Sequence, residues 1–124
     1  MTRRAALRVI ALIFVVSGVS HFVIPGAFER IVPKWVPDAH AAVWWSGVAE
    51  IAGAVGLLVP QTRVVAAWCL IALLVAVFPA NVQMLMSARE VGASAVYVAV
   101  LWARLPLQAL LIWWVWSAGV ARPV

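Results

Sequence analysis

Four apolar runs, broken only by short polar stretches, constrain this chain more than any other feature. They cover Ala5 to Ile24, Val43 to Val59, Val64 to Val82 and Ser94 to Trp116. Each is close to the ~20 residues that a helix needs to cross the hydrocarbon core of a bilayer. Periodicity does not separate helix from strand inside a continuous apolar run, but length does, and these runs are about twice a transmembrane strand. Lipid offers no partner to a bare backbone amide, so only helices and closed barrels span it. The expectation is an all-α integral membrane four-helix bundle, one domain over residues 1–124.

Composition excludes the alternatives. The chain is 67% hydrophobic and only 10% charged, whereas a soluble domain carries about 25% charged residues. Disordered chains are poor in apolar residues, so disorder is excluded too. Nine Lys+Arg against four Asp+Glu leave a net charge of +5. In lipid that excess reads as orientation rather than nucleic-acid binding, because basic residues mark cytoplasmic loops. With the N-terminus inside, Arg3, Arg4, Arg8, Arg63 and Arg122 are cytoplasmic, and Arg30, Lys34 and Arg89 lie outside. The bias favours N-in and C-in. The basic start of the first run resembles a signal peptide, but no small-x-small cleavage site follows, so the run is read as retained. Trp44 and Trp45 at one edge, and Trp113, Trp114 and Trp116 at the other, form the expected aromatic belts.

The connections are unequal. Gln61 to Arg63 is a tight hairpin and Ser87 to Ala93 a short polar turn, while residues 25–42 form the long one. There Phe28, Ile31, Val32, Trp35 and Val36 mix with Glu29, Arg30, Lys34 and Asp38, the pattern of a segment lying in the outer interface.

Polar residues inside the spans are costly, at least about 2.5 kcal/mol for a charge at a helix centre, and are functional candidates by default. They are His21, Glu50 and Arg104, with Asn81, Gln83 and Gln108 as neutral companions. At about 1.5 Å per residue, Glu50 lies roughly 10 Å and Arg104 roughly 15 Å below the outer starts of their runs. All four helices thus place a polar group in the outer half. Tyr97, Leu101, Arg104, Gln108 and Leu111 share one stripe on the last helix. Ser17 and Gly18 lie on the His21 face, and Gly53 and Ala54 on the Glu50 face, where small residues permit close helix approach. The expected polar pocket is His21, Glu50, Asn81, Tyr97, Arg104 and Gln108.

Each candidate has a structural alternative. Glu50 and Arg104 either form a buried ion pair that fixes helix register or meet a ligand, Arg104 an anion or quinone carbonyl and Glu50 a proton. Asn81 is expected to bond backbone freed by Pro79. Pro106 likewise leaves the carbonyl of Trp102 without its usual donor. The lone Cys69 forms no internal disulfide or CxxC pair and is expected to be inert packing. Haem is disfavoured, because His21 and His40 belong to one short stretch. No metal-ligand cluster, phosphate-cradling loop or nucleophilic triad is present in the sequence, so no catalytic residue is assigned.

Several pieces together resemble the DoxX-like family of small four-helix membrane proteins. They are Gly18-Val19-Ser20-His21-Phe22 with Pro25 and Phe28, Pro33 and Pro37, and Ser46-Gly47-Val48-Ala49-Glu50 followed by Gly53-Ala54-Val55-Gly56-Leu57 and Pro60. Pro79-Ala80-Asn81 and Arg104-Leu105-Pro106-Leu107-Gln108 complete the series. The resemblance implies a left-handed four-helix bundle and, from its bacterial members, an oxidoreductase-associated protein of the bacterial inner (plasma) membrane. It maps the family motifs onto His21, Glu50, Asn81, Arg104 and Gln108. Eukaryotic proteins that look similar are cargo receptors or assembly factors, so fold does not fix function. Two main expectations follow. One is an accessory component of a membrane redox system whose pocket binds a quinone, the candidate cofactor, or a small anion. The other is a non-enzymatic scaffold or assembly factor meeting its partner through Phe28 to Pro37. Binding or export of a small hydrophobic molecule is a third. Expected partners are the lipid bilayer, a redox or client membrane protein and a second copy of the chain.

Overall fold

A computed structural model describes residues 1–121; Arg122, one of the orientation markers, lies outside the described residues. Among the described residues the regular structure is all helical. α1 spans Arg3–Val23, the short α2 Pro25–Glu29, α3 Ala39–Leu58, α4 Arg63–Glu90 and α5 Ala95–Trp116, and a π-helical turn covers Ser117–Ala121. All but α2 are long and apolar enough to cross a membrane, the last counted together with the π turn.

Local chemistry sets the boundaries. Thr2, Asp38 and Ser94 cap α1, α3 and α5 by accepting from the amides of Ala5, Ala41 and Tyr97, which satisfies orphan first-turn donors. Pro25 ends α1 and opens α2, since its ring is compatible only with a first helical turn. Gly92 takes φ +66° in the turn between α4 and α5, a conformation open to glycine at no steric cost. Arg63 donates from Nε to the carbonyl of Leu57 at 2.8 Å, and Thr62 from Oγ1 to that of Gly56 at 2.9 Å. The last turn of α3 is thereby closed by the residues that begin α4.

Two expected boundaries are corrected. α3 begins at Ala39 rather than Val43, because the Asp38 cap recruits a polar first turn that hydropathy alone does not count. Glu50 therefore lies roughly 16 Å along its helix, deeper than expected. α4 continues to Glu90 rather than ending at Val82, and the expected turn over Ser87 to Ala93 shrinks accordingly. The added turns bury Leu85 and Ala88 against Leu101 of α5, and Gln83 Nε2 donates to Ser87 Oγ at 3.2 Å along the same helix.

The helices pack in sequence, α1 on α3, α3 on α4 and α4 on α5, while α1 and α5 scarcely touch directly. At the end carrying the N-terminus, one core joins all four. Ala6, Leu7, Ile10 and Phe14 of α1 meet Ala54 and Leu57 of α3, Ala67, Leu70 and Leu74 of α4, Val115 of α5 and Ala118 of the π turn. Arg3 Nε donates to the Ala118 carbonyl at 2.8 Å, tying the start of α1 to the chain's last turn. At the other end the four-way core stops. There α1 stays with α3, α4 stays with α5 through its own small cluster, and the two pairs part.

The α1–α3 contact depends on absent side chains. A Cβ on Gly18 would stand 2.7 Å from Ile51 Cγ1 and 2.9 Å from the Gly47 carbonyl oxygen, and one on Gly47 would stand 2.9 Å from His21 Cβ. Small residues at such a crossing let backbones approach closely, and this crossing sets Ser17 and His21 beside Glu50.

Trp44, Trp45, Trp113 and Trp116 are exposed on the outside of the helices. Trp114 instead packs partly against the core, because neighbours within the four consecutive positions 113–116 cannot all lie on one helix face. Cys69 corrects its expectation as well. It is exposed on the outer face of α4, one position before the buried Leu70, and packs nothing in.

Candidate functional site

Between the parted helix pairs lies a cavity of about 750 Å³. Its floor is the end of the four-helix core, Phe14 and Leu74, and its roof is the segment from Phe28 to Val36. Most of the wall is apolar, and the polar side chains gather in two groups on opposite pairs.

The first group belongs to α1 and α3. Ser17 Oγ donates to Glu50 Oε1 at 3.0 Å, and His21 Nδ1 lies 3.2 Å from Glu50 Oε2. Oε2 is buried and makes no aligned hydrogen bond, so the His21 contact is one of charge and proximity. Ser46 Oγ donates to the Val43 carbonyl at 3.0 Å and lies 3.5 Å from His21 Nδ1. The imidazole, 7% exposed, rests edge-on against Phe28 at 4.2 Å between ring centres, which couples this group to the roof.

The second group belongs to α4 and α5. Asn81 Nδ2 donates to Gln108 Oε1 at 2.5 Å, and Gln108 Nε2 donates to the Leu74 carbonyl. Pro79 interrupts α4 just beyond Leu74, where its missing amide and its ring loosen the hydrogen-bond ladder. Gln108 thus bonds the backbone near the break, and Asn81 holds Gln108. This corrects the expectation for Asn81, which meets a side chain of α5. Arg104 Nη1 points to Met84 Sδ at 3.0 Å, a weak acceptor, and no carboxylate lies within ion-pair distance of it among the described residues.

The structure therefore unites five of the six expected pocket residues, His21, Glu50, Asn81, Arg104 and Gln108. Tyr97 is not among the lining residues and is 47% exposed. It shares the Arg104 stripe, but about two turns farther along α5, past the cavity's wall. The expected Glu50–Arg104 ion pair is corrected too. Glu50 turns to its neighbour α1, and the cavity separates the two helix pairs.

Sequence reasoning passed over Ser17 and Ser46 as site residues, although Ser17 sits one turn before His21 on the same face. It also assigned Phe28, Ile31, Val32, Trp35 and Val36 to an outer segment, and the structure makes them a wall of the cavity. His40 lies apart from the main cavity, paired with Glu29 Oε1 at 2.6 Å. Among the described residues no group of three or more His, Cys, Asp or Glu could hold a metal.

The arrangement can hold a molecule that is mostly apolar and carries polar atoms at one end. A cavity of this size falls in the range of small-molecule sites, which combine apolar walls with a few convergent polar groups. A quinone headgroup fits these residues. Arg104 supplies a donor without a carboxylate partner, and Glu50 Oε2 is a buried acceptor with hydrogen-bonding capacity to spare.

No curated protein and no solved structure matches the chain. The family model described as Domain of unknown function (DUF8561) matches residues 10–119, a stretch that contains every side chain lining the cavity, and the chain belongs to that family.

Proposed function

We propose that the protein is a DoxX-like four-helix bundle of the bacterial inner membrane, N-in and C-in, that binds a quinone as an accessory component of a membrane redox system. The observation that carries this reading is the cavity, about 750 Å³ with two facing polar groups and otherwise apolar walls. A small inorganic anion fills little of that volume, and apolar walls contribute nothing to holding it. An amphipathic ring with oxygen atoms uses both. Arg104 and His21 would face its oxygens, Glu50 would hold or accept a proton at Oε2, and Asn81 and Gln108 would keep α4 and α5 in position. A bound quinone supplies the electron-carrying chemistry, and the protein supplies orientation and exclusion of water.

The test is native mass spectrometry of the protein extracted gently from its own membrane, beside Arg104→Ala. A bound quinone in the wild type, lost in the variant, supports the reading. A bare chain, or one carrying only another polypeptide, overturns it in favour of a scaffold. Trp35, 76% exposed at the roof, favours that second reading, and cross-linking from residue 35 would then recover the partner.

A further inference from the structure

We infer that the ligand enters the cavity sideways, between α1 and α5, and that it is a membrane-borne amphiphile whose apolar tail remains in that opening. This deepens the proposed quinone site and rests on it.

Three observations carry the inference. First, α1 and α5 scarcely touch directly, although the other long helices pack in sequence. Of the two openings between the parted helix pairs, the α3–α4 one is flanked by helices that pack directly on each other, and the α1–α5 one is not. Secondly, the lining residues flanking the gap are apolar and outward-facing. Ile13 on α1 and Leu107 on α5 both contribute to the cavity wall and are both exposed. Trp45 and Ala49 on α3 and Ala76 on α4 also line the cavity while exposed, so exposure marks both openings and the scarcity of direct α1–α5 contact chooses between them. Thirdly, polar side chains stand on both helices that flank the opening. Arg104 lies one turn from Leu107 on α5, exposed and pointing to the Met84 thioether, while Ser17, one turn from Ile13, and His21 stand on α1 and meet Glu50 of α3 behind them.

In a bilayer such a gap opens onto acyl chains, not water. A wholly polar ligand has no favourable path through it. A molecule already dissolved in the membrane reaches the site by lateral diffusion, polar head first. The head settles between Arg104 and Glu50, and the tail lies along Ile13, Leu107 and Leu111, so the tail never leaves an apolar environment. The ligand class is a ring or head bearing acceptor oxygens joined to a tail long enough to pass Leu107.

The test uses the full chain in lipid nanodiscs with a dimethoxy-methyl-benzoquinone carrying a decyl tail that ends in a diazirine. After illumination, labelled residues are mapped by peptide mass spectrometry, with and without the same ring lacking a tail as competitor. Competable labelling concentrated on Ile13, Leu107 and their outward neighbours on α1 and α5 is expected. Ile13→Trp and Leu107→Trp, each on an exposed position, are expected to weaken the tailed probe at least tenfold and the tail-less ring less than twofold. Competable labelling on Trp45, Ala49 or Ala76 instead would overturn the α1–α5 route and leave the quinone site standing. A dimer in native mass spectra that both substitutions dissociate would assign the gap to a second copy and overturn the route as well. If neither probe binds the wild type, the quinone reading fails, and this inference fails with it.

Discussion

The two walls of the cavity are built on opposite principles. The α1–α3 wall is a tight glycine crossing that presents a carboxylate already engaged by Ser17 and His21. The α4–α5 wall contains a proline in each helix and presents amides that bond a backbone carbonyl, beside a guanidinium that meets only a thioether. The first wall is rigid because there is no room for it to move. The second is held by side-chain hydrogen bonds across a loosened ladder. Ligand-dependent adjustment is therefore expected in α4 and α5, with α1 and α3 as the fixed reference.

The largest effect should come from forcing the tight crossing apart. In Gly18→Val the added atoms meet the Gly47 carbonyl oxygen, which is backbone and cannot swing away. Overpacking of this kind costs about 1–3 kcal/mol, and a steric conflict with backbone belongs at the upper end. Thermal unfolding in detergent should show the loss. Substituting Pro79 by Ala restores an amide to α4, so it should leave stability equal or higher. If both substitutions are equally harmful, the walls do not differ in rigidity.

Next comes the carboxylate. Glu50→Ala leaves the half-buried Ser17 hydroxyl and the buried His21 ring without their partner, and losing one side of such a contact costs about 1–3 kcal/mol. Double-mutant cycles sharpen the comparison. Glu50 with Ser17 should show coupling of about 1 kcal/mol. Glu50 with Arg104 should be additive to within about 0.5 kcal/mol, and the charge-swapped double variant should not rescue folding. Rescue by that swap would show that the walls close onto each other.

These cycles turn on what the sequence did and did not make legible. Four helices long and apolar enough to cross a membrane could be read from run lengths, because lipid leaves the backbone so few options, but the position of Glu50 along its helix could not, because the Asp38 cap adds a polar first turn. The identity of the pocket followed for His21, Glu50, Asn81, Arg104 and Gln108. The partner of Glu50 did not, because depth along a helix says nothing about which helix lies beside it. Here α3 packs on α1 at the glycine crossing, and Arg104 belongs to the other pair. Tyr97 was misplaced for the complementary reason. A shared stripe fixes direction around the helix but not where a cavity stops. The far end of α4 was hidden because its last turns are amphipathic and bury only Leu85 and Ala88, too little to register as an apolar run.

On the second wall, Gln108→Leu should have a smaller effect on stability than either change above. It removes the donor to the Leu74 carbonyl and the acceptor for Asn81. Leucine nevertheless fills a similar volume in apolar surroundings, so the net cost should be about 1–2 kcal/mol. Hydrogen exchange should localise the change to α4 around Pro79, while α1 and α3 remain as protected as in the wild type. Equal loss of protection in all four helices would mean that the amide pair supports the whole fold rather than one wall.

The smallest effect lies at the roof. Glu29 Oε1 and His40 Nδ1 stand 2.6 Å apart, with the His40 side chain 74% exposed, and they clasp the two ends of the segment that carries Ile31, Val32, Trp35 and Val36 over the cavity. Exposed pairs of this kind contribute about 1 kcal/mol or less, so His40→Ala should barely shift the unfolding temperature. Its effect should be local. Among the described residues the Glu29–His40 contact is the ion pair of the roof, and the ring contact between His21 and Phe28 links the roof to the polar wall. Removing the clasp should raise exchange in residues 30–37 and speed ligand release, leaving the α1–α3 wall untouched. Removing the Phe28 contact by Phe28→Ala should do the opposite, disturbing His21 and its wall while the clasp holds. Parallel exchange profiles for the two variants would mean that roof and wall move as one body, and the contrast between a fixed wall and adjustable surroundings would then lie between helix pairs alone.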